Sequence, residues 1–125
     1  HPDAPGIHFG IGCDHLLGAM HDAGPSVMGL DWRTPIRAAR ERLGPDLVVQ
    51  GTLDPSLVIA GIDIAIAGAD RVLADNAGHA GHVFNLGHGV HPDTDPAVLS
   101  AIVAHVHAST ARPDHTDDTG ATMTS

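Results

Sequence analysis

Four short apolar stretches, each followed by a segment carrying a helix-start signal, limit what this chain can fold into. The stretches are "GIHFG" (Gly6–Gly10), "VMGLD" (Val27–Asp31), "LVVQG" (Leu47–Gly51) and "HVFNLG" (His82–Gly87). None shows a clean polar alternation. Strands buried on both faces read this way, and parallel sheets supply that environment. Between them lie helix-like segments. Asp14 precedes "HLLGAMHDA", Thr34-Pro35 precedes "IRAARERL", Asp54-Pro55 precedes a long run to Ala77, and Asp95-Pro96 precedes "AVLSAIVAHVHA". A Thr or Asp oxygen accepts from an orphan N–H of the first turn, and Pro at the first helical position has no N–H to orphan. The long run contains glycines and β-branched residues that weaken helix propensity, and a break near Gly61 is expected. In the last segment Leu99, Ile102, Val103 and Val106 fall at helical spacing and predict one apolar face.

The order is therefore β-α four times over, which implies right-handed crossovers and parallel strands. At 125 residues the chain is about half the roughly 250 residues of a complete (β/α)8 barrel. Repetition alone leaves a small open sheet equally available. The segment from Thr110 to Ser125 is polar and is expected to be a disordered or loosely attached tail, with residues 1–109 forming the folded part.

In parallel α/β architectures function gathers at the C-terminal ends of the strands. That rule collects His8, Asp31 and Trp32, Gln50 to Asp54, and Asn85 to His88 on one rim. His88 stands between Gly87 and Gly89. The glycines remove bulk on both sides and let backbone approach a ligand closely. An imidazole there can meet a carboxylate, shuttle a proton or ligate a metal. The alternative is a turn histidine with no special role. Asp31 and Asp54 resemble a carboxylate pair for acid/base work. Asp54 directly precedes Pro55, however, and is expected to cap its helix. Asp31 is divided between rim hydrogen bonding and ligand contact. His79, His82, His88 and His91 invite a metal reading, but His82 opens the strand that His88 closes, and no metal site is expected. His105 and His107 are expected to be exposed on a helix. Arg37, Arg40 and Glu41 read as a solvated helix face with an ion pair. Arg33 lies nearer the rim, where an anion could meet it, but it is not counted among the candidate site residues.

The totals exclude several classes. The formal net charge of -9, with His neutral, argues against nucleic acid or an anionic membrane as general partners. An anionic small substrate stays open, because a few Arg or His can reverse the field inside a cleft. Cys13 is the only cysteine, so no intrachain disulfide framework forms, which fits a reducing cytoplasm. No run reaches the roughly 18 apolar residues of a membrane span. No G-x-G-x-x-G follows a strand, and no phosphate-binding loop is present.

Three stretches, "GLDWRTPIRAARERLG", "VVQGTLDPSLV" and "HVFNLGHGVHPDTDPAVLSAIVAHVH", resemble in order and spacing the C-terminal half of uroporphyrinogen decarboxylase. The leading "PGIHFGIGCDHLLGAMHDAG" is similar to the preceding stretch of actinobacterial members. The resemblance implies the C-terminal half of a (β/α)8 TIM barrel, four βα units with parallel strands. It implies a cytoplasmic, homodimeric enzyme of heme biosynthesis. That enzyme converts uroporphyrinogen III to coproporphyrinogen III by removing the carboxylates of four acetate side chains, without a metal or organic cofactor. It places His88 in the substrate pocket; Asn85, Gly87, Gln50 and Asp31, collected by the strand-end rule, are the possible rim residues beside it. It also places the catalytic aspartate and the arginines that grip substrate carboxylates in an N-terminal half outside this sequence, so this chain alone is expected to be inactive. Two alternatives remain. One is a zinc-dependent corrinoid or coenzyme M methyltransferase-like protein of the same fold. The other is a non-catalytic half-barrel that binds a porphyrinogen.

Overall fold

A computed structural model describes residues 1–112. The strands are β1 (Ile7–Phe9), β2 (Val27–Gly29), β3 (Val49–Leu53) and β4 (His82–Leu86). A short 3-10 turn (Asp14–Leu16) leads into α1 (Leu17–Asp22). Then follow α2 (Ile36–Leu43), α3 (Pro55–Ile59), α4 (Ile62–Asn76) and α5 (Pro96–Thr110). The strands form one sheet in the order β1-β2-β3-β4, with each neighbouring pair parallel. Every strand therefore lies beside its sequence neighbour, and each step between strands is a helical crossover. A doubly wound sheet reverses its strand order at a switch point, and this one does not. The helices also pack on one face only, the face that carries Met28, Val49, Leu53, Phe84 and Leu86. Sequential order with one covered face is the arrangement of a stretch of barrel wall.

Parallel register decides what the other face carries. Phe9 pairs with Gly29, Gly29 with Gln50, Gln50 with Val83, and Thr52 with Asn85. Paired residues point to the same side and alternate along each strand. Ile7, Phe9, Val27, Gln50, Thr52, Val83 and Asn85 thus share the face without helices. Phe9 and Val83 are each 47% exposed on it. With helices on one face only, the expectation of strands buried on both faces is corrected: on the open face Val27 and Gln50 of the inner strands are half-buried, and the departure is largest for β1 and β4. These two are the sheet edges among the described residues, and the open side of each is uncovered.

Local chemistry explains most element boundaries. Asp54 caps α3, its Oδ1 accepting from the Ser56 N–H at 2.9 Å. Asp95 caps α5, its Oδ1 accepting from the Ala97 N–H at 2.9 Å. The long helical run breaks at Gly61, whose φ of 116° and ψ of 171° lie in a region nearly closed to side chains. Two expected caps are absent. Asp14 instead takes Arg42 Nη1 at 2.9 Å, and Thr34 turns its hydroxyl toward Asp31. β3 begins two residues later than expected, because Leu47 is held in a turn by the Gly44 carbonyl. On α5 the buried stripe is Val98, Ile102 and Val106, whereas Val103 is 54% exposed. The helix includes Thr110, whose Oγ1 donates to the Val106 carbonyl at 2.7 Å. The remainder of the expected tail, 113–125, lies outside the described residues. No helix among the described residues is long and apolar enough to cross a membrane.

The expected solvated face of α2 is a more substantial correction. Arg40 is 5% exposed. Its Nη1 donates to the Leu47 carbonyl at 2.6 Å and to the Pro45 carbonyl at 3.0 Å, and its Nη2 donates to Asn76 Oδ1 at 2.9 Å. Arg40 thereby ties the α2–β3 loop to the end of α4. Arg37 pairs with Asp75 on α4, not with Glu41.

Candidate functional site at the C-terminal mouth

The four strand ends and the loops that leave them form a mouth. β4 ends at Leu86, and the Gly87 N–H donates to the Leu53 carbonyl at 2.7 Å, so the chain stays paired with β3 for one more residue. Gly87 passes hard against the loop after β2. A Cβ at that position would lie 2.3 Å from the Trp32 nitrogen and 2.8 Å from the Asp31 carbonyl carbon. Glycine is therefore required here by a neighbouring backbone, not by a ligand. Gly89 has open space around it. The two glycines thus have different reasons to be there, and the expectation of matched ligand clearance on both sides of His88 is corrected.

His88 follows directly and is exposed at the mouth. It borders two concavities. The inner one, ≈ 290 Å³, opens on the face without helices, with Phe9, Leu30, Gln50, Asn85 and Val90 among its walls. The outer one, ≈ 460 Å³, is walled by Trp32, Pro55, Ile59, Val90 and Pro92. The imidazole meets the Trp32 indole nearly edge-on, with ring centroids 6.0 Å apart and planes at 74°. Arg33 lays its guanidinium over the same indole, 4.8 Å from the centroid.

Of the expected rim residues, Gln50, Asn85 and His88 meet at the inner concavity. Asn85 Oδ1 also accepts from the Leu86 N–H at 2.8 Å. Asp31 does not present its carboxylate there. It is 2% exposed. Its Oδ2 accepts from the Gly12 N–H at 2.7 Å, and its Oδ1 accepts from the Arg33 N–H at 3.0 Å and the Thr34 hydroxyl at 3.4 Å. Asp31 is a brace that ties the β1 and β2 loops together. Asp54 is occupied by its cap and by the Ser56 hydroxyl at 2.7 Å. His8 pairs in register with Met28, which points toward the helices, so it faces away from the mouth. Phe9, one residue on, takes the inward place. Period-two alternation in "GIHFG" could have chosen Phe9 over His8. Nothing in the sequence announces Val90 as a wall of both concavities.

The remaining histidines are scattered. His82 opens β4, where its Nε2–H donates to the Gly51 carbonyl at 2.8 Å. Burial, and secondarily the positive Arg40, hold its pKa below the ordinary 6.5 against the opposing pull of that hydrogen bond. His91 accepts from the Asp93 N–H. His107 is exposed as expected, whereas His105 is half-buried and lies 2.6 Å from Asp70 on α4. Among the described residues no three His, Cys, Asp or Glu side chains converge to hold a metal ion.

The model of the family described as uroporphyrinogen decarboxylase (URO-D) matches residues 1–109. The chain belongs to the uroporphyrinogen decarboxylase family. It is similar to the uroporphyrinogen decarboxylase of Salinispora tropica, with 52% identity over 110 residues, covering 88% of this chain and 30% of the relative. The corresponding protein of Saccharopolyspora erythraea is 51% identical over 114 residues, covering 86% and 31%. That of Nocardia farcinica is 53% identical over 108 residues, covering 82% and 30%. The chain thus spans about 30% of the length of the curated relatives it matches. Four consecutive parallel βα units within so small a share of the family's length are consistent with part of a barrel.

Proposed function

We propose that this chain supplies a C-terminal portion of the barrel wall of a uroporphyrinogen decarboxylase, and that His88 holds a substrate carboxylate at the barrel mouth. The enzyme is cytoplasmic and homodimeric, and it acts in porphyrin and heme biosynthesis. It removes the carboxylates of the four acetate side chains of uroporphyrinogen III to give coproporphyrinogen III, with no metal or organic cofactor. The observation that carries this reading is the place of His88, at the strand-end mouth and on the border of a concavity that opens on the sheet face without helices.

The chemistry divides between this chain and the rest of the barrel. Loss of CO2 leaves an electron pair that needs a sink, and protonation of the pyrrole ring provides one. A nearby anion then stabilises the cationic ring. Asp31 and Asp54 are the carboxylates of this chain closest to that task by sequence position. Both already accept structural hydrogen bonds, one buried beneath the β2 loop and one at a helix cap. That engagement is in keeping with what the resemblance implies, a proton-steering acid on an N-terminal segment outside this sequence. This chain contributes positioning: an imidazole N–H that donates to a carboxylate oxygen, the Gln50 and Asn85 amides beside it, and the apolar Phe9 and Val90 for the macrocycle's hydrocarbon.

The test is a graft. Residues 1–109 replace the matching segment of the Salinispora tropica relative, and the product of uroporphyrinogen III is followed by chromatography of the oxidised porphyrins. Coproporphyrinogen formation is the expected result. A folded graft that leaves the octacarboxylate untouched would refute the reading.

A further inference from the structure

Beside His88 the mouth holds a guanidinium that the proposed reaction has not yet used. Arg37 is paired with Asp75, Arg42 with Asp14, and Arg40 is enclosed by carbonyls and Asn76. Arg33 is exposed, and its guanidinium has no carboxylate partner among the described residues. It lies on the Trp32 indole at 4.8 Å from the centroid. A guanidinium stacked by its face keeps its N–H edge free for a carboxylate.

The backbone beneath is fixed from three directions. The Arg33 N–H is bound to Asp31 Oδ1, the Thr34 N–H donates to the Asp31 carbonyl at 3.3 Å, and Gly87 presses on the Trp32 nitrogen. Trp32 in turn meets His88 edge-on, so one indole, on a backbone held from three sides, neighbours both the imidazole and the guanidinium. In a chain of net charge -9 Arg33 places a positive charge at the mouth, where the Asp54 carboxylate that also borders the outer concavity is engaged by Ser56.

We propose that Trp32 is a positioning residue that sets the direction of the His88 imidazole, and that Arg33, stacked on the same indole, is a second carboxylate contact. The mouth then holds a flat polycarboxylate at two points. Such a clamp favours ligands with carboxylates on neighbouring arms of one planar scaffold over a lone carboxylate. This inference rests on the reading that the mouth receives a tetrapyrrole polycarboxylate, and it adds which residues orient that ligand.

Uroporphyrin, which carries the carboxylates but is not turned over, is the probe, and its fluorescence anisotropy reports binding to the 125-residue chain. Trp32 is the only tryptophan, so quenching of its emission locates the probe at the mouth. Far-UV circular dichroism checks each variant's fold, and the same variants are measured in the grafted barrel. Arg33→Gln and His88→Gln should each weaken binding about tenfold, the loss of one charge-assisted hydrogen bond. Arg33→Lys should keep part of the affinity. Trp32→Phe, which keeps an aromatic face, should bind nearly as the parent does, and Trp32→Leu should lose as much as His88→Gln.

No binding by the folded parent would overturn the proposal, as would binding indifferent to Arg33→Gln or Trp32→Leu. Binding that follows the expected pattern in a graft that forms no coproporphyrinogen would uphold the clamp while refuting the decarboxylase reading.

Discussion

Asp31 and Gly87 meet through backbone, and together they show why single residues at this mouth were hard to read. In sequence Asp31 is a carboxylate at a strand end, the profile of a catalytic acid. In space it is a buried brace with donors from Gly12, Arg33 and Thr34. Which donors reach it depends on a contact between the loops after β1 and β2, and no spacing within one loop reveals that. Gly87 and Gly89 look equivalent in "GHG", yet only Gly87 faces a backbone nitrogen at 2.3 Å from where its Cβ would be. Gly87→Ala should therefore shift the β2 loop and lower stability, while Gly89→Ala should leave the chemical midpoint of unfolding within about 0.5 kcal/mol of the parent's stability. Equal effects would contradict the contact. Arg40 carries a larger expectation. Replacing it with Ala strands the Leu47 carbonyl and Asn76 and removes hydrogen bonds to a charged donor, at a cost of about 3 kcal/mol in urea unfolding. A neutral result would mean that α2 is not tied to α4 in solution.

His82 links the residue scale to pH. Its folded pKa lies below 6.5 because burial disfavours the charged form. Between that lowered value and 6.5 the unfolded chain binds more protons than the folded one, so stability rises with pH through that window. The contribution is fully present above 6.5 and is lost as the pH falls through the folded pKa. His82→Gln should flatten the dependence. A parent whose stability is level across that window would contradict the burial.

At the scale of elements the sequence was most legible where local chemistry decides. Asp before Pro marks the starts of α3 and α5, and the break at Gly61 follows from propensity. Asp95→Ala should cost about 1 kcal/mol, and Gly61→Ala of order 1–3 kcal/mol from backbone strain alone, since no atom lies within 4 Å of its added Cβ. Thermal unfolding measures both. Legibility failed where a distant segment decides. Thr34 and Asp14 have cap-forming side chains but turn to Asp31 and Arg42. On α5, Val98 and Val103 exchange places because helix periodicity gives an apolar stripe but not its rotation against α4. The edge strands carry the same lesson. β1 and β4 have the composition of buried strands, and among the described residues nothing covers their open sides.

At the scale of the whole sheet, the described residues combine a helix-covered face with an open one. Ile7, Phe9 and Val83 on the open face, and two strand edges with backbone groups to pair, favour association. The expected result in solution is a mass by light scattering that rises with concentration when the chain is alone. A single monomeric mass at all concentrations would contradict the open-edged sheet.

The proposed role of His88 is to display an imidazole at the mouth of a barrel wall, where it holds a carboxylate of a large anion. The most direct measurement is kcat/KM for uroporphyrinogen III in the grafted barrel with and without His88→Gln. A drop of about tenfold or more, about 1.4 kcal/mol in transition-state binding, with an unchanged fold is the predicted result. Identical kinetics in the two proteins would contradict it.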